Sequence, residues 1–310
     1  MSHTLRIGTR GSQLALTQSR WVQAALQRHH PDLTIELVTI KTTGDRFLDT
    51  PLSAIGGKGV FVKEIEDALM ACRIDCAVHS MKDVPTELAP GLVIAAIPQR
   101  EDPCDILISH ARGSLQDLPH GARLGTSSLR RMALVRAQRP DLDVVALRGN
   151  VDSRLRKLDA GGLDAVILAA AGLRRLGIAR TDAATLDPSN FVPAIGQGAL
   201  AIESRNDVTR ALLAVLDHAD TRVAVNAERT FLARVGGSCR TPLAAHATVK
   251  GDRLDLLALI ADPGGTEVVR GNRSGTASSA GELGRELADE LLARGGRRIL
   301  DALGEAEHGR

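Results

Sequence analysis

A chain of 310 residues, 44% hydrophobic and 25% charged, is long enough to bury two or three separate cores, and its formal net charge is only +2. So even a balance supplies no global field for nucleic acid or a membrane surface, and 2% aromatics with no Tyr remove the stacking platform that single-strand binders use. No apolar run approaches the roughly 18 residues of a membrane span, and no signal-peptide core precedes the first apolar run, so a cytoplasmic protein is expected.

In chain order, residues 5–8 read as a strand, Ser12 as an N-cap, and 13–28 as a helix. Residues 33–40 alternate as a second strand, and 41–59, rich in Thr, Gly and Asp, form a connection long enough to be a functional flap. An amphipathic helix over 60–72 leads into a strand at Cys76 to Val78, which breaks into Ser80, Lys82 and Asp83 before Pro85. With a strand over 92–97, this β-α-β pattern predicts a mostly parallel sheet covered by helices. After a proline-flanked break at 98–103 the pattern restarts, with strands at 105–109, 123–125, 143–147 and 165–169, helices over 128–138 and 151–160, and a short helix to 176. A second Pro/Gly-rich break, 187–198, precedes a strand over 199–203 and a helix over 208–218 that are read as returning to the first domain. The remainder reads as a smaller α+β unit, with helices over 220–235 and 280–293 and strands at 244–250, 254–261 and 268–273. The expected domains are 1–98 with 199–217, then 104–192, then 220–310.

Four cysteines, at 72, 76, 104 and 239, make no C-x-x-C pair, and structural disulfides are not expected in the cytoplasm. Cys72, Cys76 and His79 match no common zinc spacing, so no metal site is expected.

Three strand-to-helix junctions share one design: Thr9-Arg10-Gly11-Ser12, Gly125-Thr126-Ser127-Ser128-Leu129-Arg130-Arg131, and Leu147-Arg148-Gly149-Asn150. Each sets small or hydroxyl residues at a helix N-terminus, whose free N–H groups favour anions, and each supplies arginine. Arg130 and Arg131 in a first helical turn oppose the helix dipole unless an anion lies beside them. Arg154 and Arg156, then Arg174 and Arg175, extend the series. A single arginine of this kind is ordinarily a solvated surface residue. Parallel strands bring their carboxyl ends to one edge, so the repetition predicts a crevice for several carboxylates or phosphates, which arginine binds through its planar fork. Gly56-Gly57-Lys58-Gly59 fails the Walker spacing, so phosphate is the weaker option. Asp83 is the carboxylate placed to steady a cation or move protons there, although charges in a turn are commonly just solvated. Cys239, in Gly236-Gly237-Ser238-Cys239-Arg240-Thr241-Pro242, could be a nucleophile or a point of covalent attachment; a structural cysteine is the plainer reading, but the glycine loop argues against burial.

With these motifs in this order, together with Val60-Phe61-Val62-Lys63-Glu64 and Pro193-Ala194-Ile195-Gly196-Gln197-Gly198, nearly the whole chain resembles the hydroxymethylbilane synthase, or porphobilinogen deaminase, family of tetrapyrrole biosynthesis. The resemblance implies two α/β domains like the lobes of periplasmic binding proteins, joined by a hinge, and a smaller α+β domain carrying the cofactor cysteine. It implies a monomeric transferase that joins four porphobilinogen molecules with loss of ammonia on a dipyrromethane primer, itself held as a thioether on Cys239. Asp83 matches the family's catalytic aspartate. Ser80, Lys82, Thr126, Ser128, Arg130, Arg131 and Arg154 fall where the primer's carboxylates are bound. Arg10, Ser12, Gln18, Arg148, Gly149 and Arg175 fall where substrate or the growing chain is bound, as do Lys58 in the flap and Phe61 near it. The attachment loop reads Gly-Ser-Cys-Arg-Thr-Pro where Gly-Gly-Cys-Gln-x-Pro is expected, which leaves the thioether chemistry intact, and Ala54 stands where some members carry lysine, which puts one flap contact in doubt. The rival reading is a cytoplasmic two-lobed binding or sensor protein for a small dicarboxylate. It accounts for the arginines and gives Asp83 and Cys239 no task.

Overall fold

The computed structural model describes residues 4–43, 62–236 and 241–308, the last four of these by backbone only. Strand β1 (Thr4–Thr9) alternates, with Leu5 and Ile7 buried on one face. Helix α1 (Gln13–His29) starts where the Ser12 hydroxyl accepts from the Ala15 N–H at 3.3 Å, and it packs Val22 and Leu26 against Leu5 and Ile7. Strand β2 (Thr34–Thr39) pairs parallel with β1. Helix α2 (Lys63–Met70) buries Ile65, Ala68 and Leu69, and β3 (Cys76–Ser80) then pairs parallel with the other edge of β1. One 3-10 turn, Met81–Asp83, follows, and then β4 (Leu92–Ala96).

The next segment builds a second sheet from β5 (Asp105–Ser109), β6 (Arg123–Gly125), β7 (Asp143–Val145), β8 (Ala165–Ala169) and β9 (Ala183–Thr185). Between them lie α3 (Leu129–Gln138), α4 (Val151–Lys157) and α5 (Ala170–Arg175). Strands β5 and β8 are buried almost throughout, which is why they read as unbroken apolar runs rather than as alternation. Strand β10 (Leu200–Arg205) then enters the first sheet between β3 and β4, antiparallel to both.

The two sheets have the same plan, β2-β1-β3-β10-β4 and β7-β6-β8-β5-β9, with the fourth strand reversed in each. In both cases the reversed strand is the first one made after the chain has crossed from one compact unit to the other. Those units comprise residues 1–101, 175–177 and 198–222, and residues 102–174, 178–197 and 223–310. The mostly parallel pattern expected from sequence is what each of these sheets has, with four strands of five running one way and the fifth reversed.

After helix α6 (Val208–Leu213), helix α7 (Ala219–Val235) leads into an antiparallel sheet of β11 (Leu243–Lys250), β12 (Arg253–Ala261) and β13 (Val268–Thr276), followed by α8 (Ala280–Leu291) and α9 (Arg297–His308). Leu283, Leu287 and Leu291, four residues apart on α8, join Phe231, Leu256 and Ile260 in one core, each such leucine contributing roughly 1.5–3 kcal/mol. A Cβ on Gly284 would lie 2.5 Å from the Ala227 carbonyl oxygen, so glycine there lets α7 and α8 approach backbone to backbone. Within the second unit this sheet also shares a core with α3, where Ala244, Leu259 and Ala261 meet Ala133 and Leu134.

The structure departs from the expected elements in several places: the strand expected over 143–147 ends at Val145, and the helix expected over 208–218 stops at Leu213 and gives way to a 3-10 turn, Ala214–Leu216. The helix expected over 151–160 is an α-helix to Lys157 and continues as a π-type turn, Leu158–Gly162, which ends where Gly161, at φ 78°, turns the chain out. Strand β9 and helix α9 are additional; the former is three small residues at a sheet edge, and the latter starts beyond Gly295, whose φ of 119° interrupts the helical chain that begins at Ala280.

Candidate active site

In the first unit, β1 and β3 are parallel neighbours, so Thr9-Arg10 and Ser80 emerge at one sheet edge. The 3-10 turn after Ser80 carries Lys82 and Asp83, both half-buried. A pocket at this edge is lined by Arg10, Ser12, Gln18, His79, Ser80 and Asp83, with Leu14, Ala15, Val62 and Val78 as its apolar wall. Five of the residues singled out from sequence are therefore brought together around one concavity. Gln18 is 3% exposed and donates through Nε2 to the Ser80 hydroxyl at 3.1 Å, which leaves the Ser80 proton to donate in turn. The Ser12 hydroxyl caps α1 and likewise keeps its own proton. The pocket thus offers one guanidinium and two hydroxyl donors beside one carboxylate.

Behind it, His79 Nε2 lies 3.0 Å from Glu203 Oε2 in a fully buried pair contributed by β3 and β10. Glu66 on α2 is near enough to feel Glu203, and burial together with that like charge holds its carboxyl above the usual range.

In the second unit, β6, β7 and β8 are parallel, which sets the junctions after β6 and β7 at one edge. Ser128 and Asn150 cap α3 and α4 as their positions imply, accepting from the Arg131 N–H at 3.4 Å and the Ser153 N–H at 2.9 Å. Ser127 ties the two junctions together by donating to the Leu147 carbonyl at 2.9 Å. Thr126 is buried and its hydroxyl accepts from the Ser128 N–H at 3.2 Å. Arg148, Gly149 and Arg154 are half-buried along the second junction. Arg175 ends α5, in a segment that clusters with the first unit, and donates through Nη2 to the Gly198 carbonyl at 2.6 Å. Burial lowers its guanidinium, with Glu101 opposing.

The anion that Arg130 and Arg131 require is in the first instance part of the chain. Asp105, with no exposed surface, accepts from Arg130 Nη1 at 2.7 Å and from Arg131 Nη2 and Nε at 2.6 and 3.1 Å. Burial opposes ionisation of Asp105, yet the two guanidiniums override it and hold the carboxyl well below the usual range. Gln197 Nε2 adds a donor at 3.0 Å. Sequence reading missed Asp105 because a strand-leading aspartate resembles any other; the adjacent arginines were the signal, and it pointed outward to a ligand as well as inward. Lys58, Phe61 and Cys239, and the flap from residue 44 on, lie outside the described residues.

The residues of the second unit fit a polycarboxylate. Two guanidiniums face one internal carboxylate, and Arg130 Nε is buried with no acceptor among the described residues.

The sequence matches the family model described as porphobilinogen deaminase, dipyrromethane cofactor binding domain, over residues 5–212, and that for the porphobilinogen deaminase C-terminal domain over 223–293. A porphobilinogen deaminase of Pelobacter propionicus is 53% identical, covering 98% of each chain. One from Syntrophotalea carbinolica is 52% identical, covering 97% of this chain and 96% of its own, and one from Roseiflexus castenholzii is 51% identical, covering 97% and 99%. Among solved structures, the periplasmic aliphatic sulphonate binding protein SsuA from Escherichia coli has a TM-score of 0.40 at 14% identity, covering 75% of this chain and 70% of that one, a likeness that carries no argument.

Proposed function

The chain belongs to the porphobilinogen deaminase family, and from that premise we propose how its own residues perform the family's reaction. The enzyme is a transferase of tetrapyrrole biosynthesis that condenses four porphobilinogen molecules head to tail into hydroxymethylbilane. In each condensation the aminomethyl C–N bond of a porphobilinogen breaks, its electron pair leaving with nitrogen as ammonia; a C–C bond forms to the free α-carbon of the acceptor pyrrole, and that carbon gives up its proton. Dipyrromethane, when bound, would be held as a thioether on Cys239 and would supply the first such nucleophilic carbon.

Asp83 is assigned to the reacting centre. Its carboxylate accepts from pyrrole N–H, steadies the cation that develops as ammonia departs, and takes up or returns protons. Arg10, Ser12 and Gln18 share its pocket and provide donors for the acetate and propionate of the incoming pyrrole. Ser80 and Lys82 in the first unit, and Thr126, Ser128, Arg130, Arg131 and Arg154 in the second, are assigned to the carboxylates of the primer. Arg148, Gly149 and Arg175, with Lys58 and Phe61, are assigned to the elongating chain, whose negative charge grows by two carboxylates at each addition. The division into 1–98 with 199–217, 104–192 and 220–310 is supported by a sheet in each part. A cytoplasmic monomer is the matching cellular reading; no described helix is long and apolar enough to cross a membrane.

The observation that carries the reading is the pocket joining Asp83 to Arg10, Ser12 and Gln18, because a carboxylate among anion-binding donors has no use in a simple dicarboxylate receptor, where it would repel the ligand. The test is the intact mass of the purified protein under denaturing conditions, with peptide mapping. An excess over the 32.8 kDa chain equal to two deaminated porphobilinogen units on Cys239 is expected. A chain that stays unmodified after incubation with porphobilinogen overturns the reading in favour of the binding protein.

A further inference from the structure

The two adjacent arginines of α3 differ in what they have left to give. Each nitrogen of Arg131 has an acceptor within the chain, Nε and Nη2 on Asp105 and Nη1 on the Ile167 carbonyl at 2.8 Å. Among the described residues Arg130 donates only through Nη1, to Asp105 and to the Val192 carbonyl at 2.8 Å, while the Phe191 ring lies 5.9 Å from its guanidinium carbon. Its Nε is buried with no acceptor among the described residues, and the whole side chain is only 4% exposed. A buried donor without a partner is costly, and so is the one excess positive charge of two guanidiniums set against one carboxylate. Both costs vanish if a ligand carboxylate meets the Nε edge of Arg130. The carboxylate that fixes this geometry is itself held. Gln197 donates to Asp105, and its loop is anchored where the Gly196 N–H donates at 2.7 Å to Glu228, a buried carboxylate on α7.

We infer that Asp105 is a positioning residue for the primer: it absorbs Arg131 in an internal clamp and holds the Nε edge of Arg130 ready for one primer carboxylate, with Gln197 steadying it. This rests on the family reading above, since it is that reading which supplies the carboxylate. A purely structural ion pair would have a different consequence. Its loss would lower stability and leave the rate of primer attachment to folded protein unchanged.

The experiment takes the full-length chain made in cells that produce no porphobilinogen, adds porphobilinogen, and follows by intact mass the gain of two pyrrole units, beside a thermal melt of each variant. Asp105→Asn keeps the side-chain shape and removes the charge that clamps both forks. Loading at least tenfold slower than wild type, at a temperature where both proteins are folded, is the expected result. Loading at the wild-type rate with a lowered melting temperature overturns the inference. Should Asp105→Asn not fold, Gln197→Leu decides: it keeps both arginine pairs and removes the buttress, loading is expected to slow about threefold, and an unchanged rate again overturns the inference. If the wild-type chain itself fails to load, the family reading falls and this inference with it, whereas normal loading of wild type and variants alike removes the inference alone.

Discussion

Asp83 occupies the last position of a single 3-10 turn, half-buried, with the buried Met81 and Val84 on either side fixing the backbone that presents it. Replacing it by Asn alters charge and almost no volume, so the pocket wall made by Leu14, Ala15 and Val78 has no reason to repack. The neutral amide, however, neither steadies a cation nor accepts a proton at working pH. Asp83→Asn is therefore expected to keep the wild-type melting temperature while turnover of porphobilinogen falls by roughly 10²- to 10⁴-fold, the range for loss of a positioned acid–base group. Steady-state turnover measured beside a thermal melt decides the matter, and normal turnover in a normally folded protein would exclude Asp83 from the reacting centre.

The junction elements are where sequence and structure agree most closely, for a physical reason. Ser12, Ser128 and Asn150 are caps whose hydrogen bonds close within three residues, so the local sequence contains the whole interaction. The apolar runs of β5 and β8 were legible for a similar reason, since burial on both faces needs no partner to be named. Adjacency was not legible: nothing within Leu200–Arg205 says that its neighbours are β3 and β4, or that it runs against them, because that information lies in pairing across more than a hundred residues. The inward partner of Arg130 and Arg131 was hidden likewise, Asp105 being more than twenty residues away in sequence. Gly149 shows how tightly a junction is drawn. Its φ of 114° belongs to glycine, and a Cβ there would lie 2.0 Å from the Ser153 hydroxyl, which donates to the Asn150 carbonyl at 3.0 Å. Gly149→Ala is expected to cost roughly 1–3 kcal/mol for the strained backbone and to displace the neighbouring Arg148. A denaturant melt should show the loss, and KM for porphobilinogen should rise; stability and KM both at wild-type values would contradict the strain.

At the scale of the whole molecule the charges nearly cancel, 39 basic against 37 acidic residues, so the pH dependence of stability falls to individual buried groups rather than to global repulsion. On the acid side, burial opposes ionisation of Asp105 and Asp75, but Arg130 and Arg131 at the first, and Arg6 at the second, hold the carboxyls below their ordinary values. A carboxyl lowered by folding stabilises fully above its unfolded value of about 3.9, and that contribution is lost as pH falls through the folded value. On the alkaline side, burial pushes the Cys104 thiol up to about 12, helped by its hydrogen bond with Asp102, and pushes the wholly buried Cys76 thiol higher still. The sign there is reversed: a thiol raised by folding stabilises fully below its unfolded value of about 8.5, and stability declines above it because the unfolded chain releases a proton that the folded chain retains. A plateau between about pH 5 and 8 with a decline on each side is expected. Cys76→Ala separates the two limbs. It removes core volume and so lowers the plateau, yet it also removes one of the two retained protons, which should make the alkaline decline shallower and leave the acid limb parallel to wild type. Urea melts from pH 3 to 10 measure both slopes, and an alkaline slope unchanged by Cys76→Ala would mean that the buried thiol is not what the alkaline limb reports.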